Sequence, residues 1–390
     1  MLDVKSRLFL LSRLLTLGLP CLRRFWSFYP DLGFPEPDRV TLIHRSAYPH
    51  PWTSARYNEA RKFVLENNVD SPTASLWTDT HATERYAAII QNVIVPGHSG
   101  TPIDPATAHQ ISSDKNGASN WSRARPSISA LTRRQLSADL TLVIPKLNHF
   151  GHLLTDFLMP YFFALQIIGF SEGTKLNIVT SSRPNALILA FIEAVRQAGY
   201  EVTHIEGKLW QEVRVPRLLH ATTHTRNLEL KFATPEAIRF ARDHLLKALP
   251  PVSETTSRRI FLLRGKTKTR QVSGEAELAH KLEQIGFRTL VGNWSNLAEQ
   301  ITAFRDADII VGAHGAGLAN ILWSKPEATL IEFFANNARK TTGLHWASAA
   351  GTDYVGIAGS DEEKMQCFAI NADQIFSTIQ FIIAKNEQGH

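Results

Sequence analysis

An apolar run, a glycine-rich turn and a second apolar run follow one another in Asp308–Trp323 (DIIVGAHGAGLANILW). No other stretch restricts the fold of this chain so tightly. Ile309, Ile310 and Val311 ahead of a glycine read as a short buried strand, and the residues after Gly317 read as the start of a helix. Gly312, Gly315 and Gly317 permit a tight turn and close approach of backbone to a ligand. A helix beginning there presents unpaired N–H groups and the positive end of its dipole, which together suit phosphate. His314 stands in the turn, placed to donate to a phosphate oxygen or to a sugar. The spacing G-x-x-G-x-G differs from the dinucleotide fingerprint G-x-G-x-x-G. By itself it also fits a strand-to-helix turn packed tightly for its own sake.

The surrounding chain alternates strand and helix patterns. Residues 140–146 (LTLVIPK), 175–181 (KLNIVTS) and 200–206 (YEVTHIE) read as strands. Between them, LNHFGHLLTDFLMPYFFALQIIGF closed by Gly169, and 184–198 ended by Gly199, read as helices. The rhythm restarts after a helix at 234–248 and a linker of Pro250–Pro251 and Ser253–Ser257. Strands at 259–263, 287–291, 308–311 and 328–333 then follow, with helices at 275–285 and 295–305, the latter with Ser295 as expected N-cap. This order predicts an α/β fold: two Rossmann-like, doubly wound domains facing a cleft, with ligands outside the carboxyl ends of the strands. The expected divisions are an N-terminal segment and long loop over 1–130, a first domain over 131–250, a second over 251–355 and a helical C-terminal segment over 356–390.

A second loop belongs to the same expected domain as the glycine turn. Arg264-Gly265-Lys266-Thr267-Lys268-Thr269-Arg270 follows the strand RIFLL, again at a carboxyl end. Cations and a helix N-terminus at one sheet edge suit a diphosphate. Arg264 and Arg270 are the stronger candidates, because a guanidinium binds phosphate in bidentate fashion. Glu332 ends the next strand and could accept from ribose hydroxyls or pair with a nearby base.

The order and spacing of these residues resemble glycosyltransferase family 61. The family pattern has a strand ending in Arg, then Arg-x-(Ile/Val)-x-Asn-Glu-x-Glu. Here these are Arg264, Arg270, Val272, Glu275 and Glu277, with Gly274 in place of the family's Asn. The resemblance continues through Glu299-Gln300, through Ala307 to Asn320, and through Trp323, Pro326 and Glu332. An upstream block, Asn148, His149, Phe150, Gly151, His152 and Asp156, is similar to the family's Asn-x-x-His-x-x-x-(Glu/Asp).

The resemblance implies a GT-B-like transferase that inverts the anomeric centre without a metal ion or cofactor. Its substrates would be a nucleotide sugar and a glycan acceptor. Residues 131–250, with part of the N-terminal segment, become the acceptor domain, and 251–355 the nucleotide-sugar domain. Donor contacts are expected at Arg264, Arg270, His314, Gly315, Ala316, Gly317, Asn320 and Glu332, supported by Asn148, Glu275, Glu277 and Gln300. An inverting displacement needs one base for the acceptor hydroxyl. His152 and Asp156, four residues apart on one helix face, are the candidates, with Asp156 preferred and His152 orienting it or replacing it.

Composition narrows the remaining classes. Apolar residues at 44% and charged residues at 20% describe an ordinary globular chain of 390 residues. A net charge of +6 fits an anionic substrate or a membrane surface. Basic residues without interleaved aromatics do not make a nucleic-acid platform. Cys21 and Cys367 are far apart and lack partners at metal-ligand spacing, which favours a reducing compartment. Leu8–Leu22 reads as an ordinary helix, a signal or an amphipathic surface anchor. The expected location is cytoplasmic, with peripheral association at the inner membrane face and polysaccharide or glycoconjugate synthesis as the setting. The sequence sets no oligomeric state. Two rival readings are a non-catalytic polysaccharide-assembly scaffold of the same fold and another Rossmann-type nucleotide-binding transferase.

Overall fold

The computed structural model describes residues 32–33, 40–48, 55–65, 83–96, 102, 110–111, 132–137, 139–145, 147, 149–169, 173–181, 183–208, 211–224, 234–252, 257–264 and 270–388. Leu8–Leu22, Cys21, Asn148 and the basic stretch 265–269 lie outside these residues. The chain forms two compact units. The first comprises Met1–Tyr48, Thr83–Asn148 and Pro160–Leu228; the second comprises Pro49–Ala82, His149–Met159 and Glu229–His390.

The second unit is built on five parallel strands. In chain order they are Arg259–Leu263, Arg288–Val291, Ile309–Ala313, Thr329–Phe334 and Asp353–Ala358, and their spatial order is second, first, third, fourth, fifth. The order reverses between the first and third strands. In open parallel sheets that reversal opens a crevice at the carboxyl ends, and here those ends carry Arg264 and His314.

Near-continuous apolar strands are what a parallel sheet covered on both faces requires. Phe261, Val311, Ile331 and Phe333 pack with Leu278 and Leu282 of the helix Glu275–Glu283 and with Ile375, Ile379 and Ile383 of the helix Ala372–Gln388. The intervening Ile260, Ile310 and Leu330 point the other way and are equally buried. Each such side chain contributes about 1.5–3 kcal/mol on burial.

The strand Asp353–Ala358 completes this sheet. The expected boundary at 355 therefore cuts through a strand, and 356–390 is not a separate helical segment. The boundary near 251 also shifts. Arg242, on the helix Pro235–Ala248, donates from Nε to Leu322 O at 3.1 Å and from Nη2 to Ser324 O, which ties that helix to the second unit. Residues 55–65 belong there too. Arg56 pairs with Asp353 at 2.7 Å, Tyr57 Oη donates to Thr352 O at 2.7 Å, and Arg339 Nη1 donates to Phe63 O at 2.6 Å.

The first unit has a mixed seven-stranded sheet, not the wholly parallel one expected. Leu140–Ile144, Lys175–Thr180 and Glu201–Glu206 are parallel neighbours, as the alternation with helices predicts. The other side is antiparallel: Val40–Tyr48 on Thr83–Pro96, and Thr83–Pro96 on Gln211–His224. The latter two strands are 14 residues each and lie far apart in sequence, so no local pattern announces their pairing. The helix Phe150–Ile168 is long and apolar enough to cross a membrane, yet 67% of it is buried within the fold.

Candidate functional site

Arg264 follows the first strand of the second unit and is half-buried. Its backbone N–H donates to Glu275 Oε1 at 3.1 Å, which fixes where the strand ends. Nη1 donates to Arg270 O at 2.9 Å and Nη2 donates to His314 O. Burial, and then the Arg270 charge, lower the Arg264 pKa from its ordinary value; a guanidinium still stays protonated. Among the described residues Arg264 has no carboxylate at ion-pair distance. Glu275 is buried, and that burial raises its pKa against the opposing effect of the Arg264 N–H and charge.

The glycine turn is shaped to admit this guanidinium. A Cβ on Gly315 would stand 2.4 Å from Arg264 Nη2, so a side chain there would displace the guanidinium from this position. Residues Ala316–Trp323 then form the expected helix, which is of the 3-10 type. Its first turn bond runs from Leu318 N–H to Gly315 O at 3.0 Å. The N–H groups of Ala316 and Gly317 consequently have no acceptor within the turn, and both residues are partly exposed.

His314 is held from below. Its Nδ1 lies 2.7 Å from Glu332 Oε1, and the Glu332 side chain is 0% exposed. Tyr354 Oη donates to Glu332 Oε2 at 2.6 Å. Burial, then the Glu332 charge, push the Tyr354 hydroxyl well above its usual pKa, so it stays a donor. Both Glu332 oxygens are thus engaged within the protein. The ribose contact expected of Glu332 is replaced by the other role, pairing with a base. With Nδ1–H given to Glu332, His314 presents Nε2 outward.

A second histidine–carboxylate pair is formed within one helix. His152 Nδ1 lies 2.7 Å from Asp156 Oδ2, with side chains 26% and 30% exposed. Thr155 Oγ1 stands 2.9 Å from Asp156 Oδ1 and 2.8 Å from Gly151 O. Leu153–Leu158 is a π-helical turn, a device frequent at functional sites. His149 caps the helix, its Nδ1 accepting from His152 N–H at 3.4 Å. Residues His149–Met159 belong to the second unit. A Cβ built on Gly151 would lie 3.3 Å from Ala316 Cβ, which seats this turn against the glycine loop.

The side chains of the other candidates have partners elsewhere. Asn320 is 0% exposed and donates to Gly317 O at 3.0 Å, so it shapes the loop from beneath and touches no donor. Gln300 is buried and donates to Asn293 O at 2.6 Å, ordering the loop after the second strand. Asn293, not Ser295, caps the turn there. Glu277 is an exposed partner of Lys281 at 3.5 Å. Arg270 is exposed and donates through Nε to Gln366. Gly274, where the family pattern has Asn, has φ 89°. Asparagine is among the few other residues that tolerate that left-handed backbone, and a Cβ here would meet Ile370 O at 2.7 Å. The chain's one Asp-x-Asp, Asp306-Ala307-Asp308, sits at the opposite end of the third strand. Asp308 is bound there by Arg258 and Lys325. The sequence reading missed Tyr354 and Thr155.

Residues 150–331 match the family model described as Glycosyltransferase 61. No curated protein matches the chain. Among solved structures, the dodecameric iron-containing heptosyltransferase TibC in complex with ADP-D-β-D-heptose is 12% identical and aligns over 70% of this chain and 75% of that one. Its TM-score is 0.25, below the level of a shared fold.

Proposed function

From the glycosyltransferase 61 domain that the chain carries over residues 150–331, we propose an inverting transfer of a sugar from a nucleotide sugar to a glycan hydroxyl, driven without a metal ion. The second unit holds the donor. The observation that carries this reading is the Arg264 guanidinium, laid across Gly315 with no carboxylate partner among the described residues and backbone N–H groups beside it. A diphosphate supplies the missing anion.

In the displacement, the acceptor oxygen attacks the anomeric carbon as the bond from that carbon to the diphosphate oxygen breaks. The acceptor proton goes to a base. The sequence reading preferred Asp156; we assign the role to His152, because Asp156 holds Nδ1 and leaves Nε2 as the accepting nitrogen. Negative charge growing on the leaving diphosphate is met by Arg264 and by the Ala316 and Gly317 N–H groups. Glu332 and Tyr354 hold the His314 imidazole in place in the same turn.

The test is thermal unfolding with uridine, guanosine, adenosine and cytidine diphosphates and their common sugar conjugates, with and without EDTA. A ligand that binds the folded state alone raises the melting temperature by mass action. One nucleotide that stabilises equally in EDTA supports the reading and names the donor class. A shift abolished by EDTA removes the metal-free part, and no shift with any of them counts against the donor site.

A further inference from the structure

Arg264 is held from behind by residues distant in sequence. The carbonyl that receives its Nη1 belongs to Arg270, which has φ 60°. Met365 and Gln366 both have φ 62°. With Asn92 they are the only non-glycine residues of positive φ among those described. Side chains crowd the backbone in that region, so each conformation persists only where its surroundings impose it.

These residues meet in space. Arg270 N–H donates to Met365 O at 2.8 Å. Arg270 Nε donates to Gln366 Oε1 across 96 positions of sequence. The contact is reinforced alongside. Val272–Ser273 pairs in parallel with Phe368–Ala369, Phe368 N–H donates to Gln271 O at 3.1 Å, and Ile370 N–H donates to Ser273 O at 2.9 Å. The chain leaving the last strand of the sheet is thereby fastened along the loop that follows the first. Met365 is 59% exposed and Gln366 is also exposed, so neither conformation is imposed by a core.

We infer that Gln366 is a positioning residue for the donor diphosphate, acting through Arg270 on Arg264. It fixes the left-handed turn at Arg270, whose carbonyl then takes one edge of the Arg264 guanidinium while His314 O takes another. The remaining N–H donors are presented together, in the planar fork that suits phosphate oxygens. The inference rests on the donor-site reading above.

Isothermal titration calorimetry of the full chain with uridine, guanosine, adenosine and cytidine diphosphates tests it. Gln366→Gly keeps the left-handed backbone, which glycine adopts freely, and removes the amide. The best-bound diphosphate is expected to bind about 5- to 20-fold more weakly. The melting temperature should stay within a few degrees of wild type, as for an exposed side chain. Gln366→Glu keeps an acceptor oxygen for Arg270 Nε and should restore affinity to within about twofold. Wild-type affinity in Gln366→Gly, with weak binding in Arg264→Ala, overturns this inference and leaves the donor site standing. Wild-type affinity in Arg264→Ala, or no binding by the wild type, removes the donor site and this inference with it. A large fall in melting temperature in Gln366→Gly, with no rescue of affinity by Gln366→Glu, makes Gln366 structural and also overturns it.

Discussion

His152 and Asp156 stand 2.7 Å apart and, on the proposed reading, act as base and orienting group. The pair makes a prediction that tells base from orienting group. His152→Ala is expected to cut turnover by about 10²- to 10⁴-fold, the usual worth of a general base, with donor affinity unchanged. Asp156→Asn should also lower turnover, because an amide can present N–H to Nδ1 and favour the wrong tautomer. Single-turnover rates and donor titrations separate the two effects. If His152→Ala kept its turnover while Asp156→Asn lost it, the base would be Asp156. At this scale the spacing of His152 and Asp156, the glycines around His314 and the guanidinium of Arg264 were legible in the sequence. The role of Glu332 was not settled. Its strand is buried at every position from Thr329 to Phe334, so no alternation says which way a carboxylate points. Tyr354 and Gln366 were invisible because their partners are brought together by strand pairing and loop return, not by spacing.

Elements were legible where apolar periodicity is strong. The strand Arg259–Leu263 has the limits its sequence predicts, and most other strands and helices shift by a residue or two. Local hydrogen bonding decided what periodicity could not. After Gly315 the chain tightens into a 3-10 helix, with Asn320 reaching back to Gly317 O. At Leu153–Leu158 it loosens into a π turn, where the Thr155 hydroxyl lies 2.8 Å from Gly151 O; no residue pattern marks that change. The far end of the 3-10 helix depends on Arg242, whose guanidinium serves Leu322 O and Ser324 O and whose pKa is lowered by burial. Arg242→Ala leaves those carbonyls without a donor. It should cost about 1–3 kcal/mol of stability in denaturant titration. Unchanged stability would mean that water replaces the guanidinium fully.

The whole molecule divides differently from its expected halves. Helix and strand alternation correctly indicated α/β organisation, but it could not show that 49–82 and 149–159 cluster with the C-terminal residues. The first unit also carries a pH dependence of its own. His220, on the strand Gln211–His224, is pushed down by burial to about 4 from an ordinary 6.5. The unfolded chain therefore takes up a proton at a higher pH than the folded one. Stability is full above pH 6.5 and falls as the pH drops from there toward 4. His220→Gln should flatten that part of the profile, read as the denaturant midpoint of the strand's unfolding against pH. A wild-type profile in the variant would assign the dependence to other groups.

The three-part weave of the second unit has a consequence for inheritance. A gene cut near codon 250 would deliver Arg264 and His314 but leave behind His152, Asp156 and residues 55–65, whose Arg56 pairs with Asp353. On the proposed reading, phosphate recognition and proton removal are thus not carried by one transferable cassette. Recombination between relatives at that point would have to preserve three separate passages of chain at once, so new acceptor specificities in such a molecule are more readily reached by point substitution than by exchange of halves.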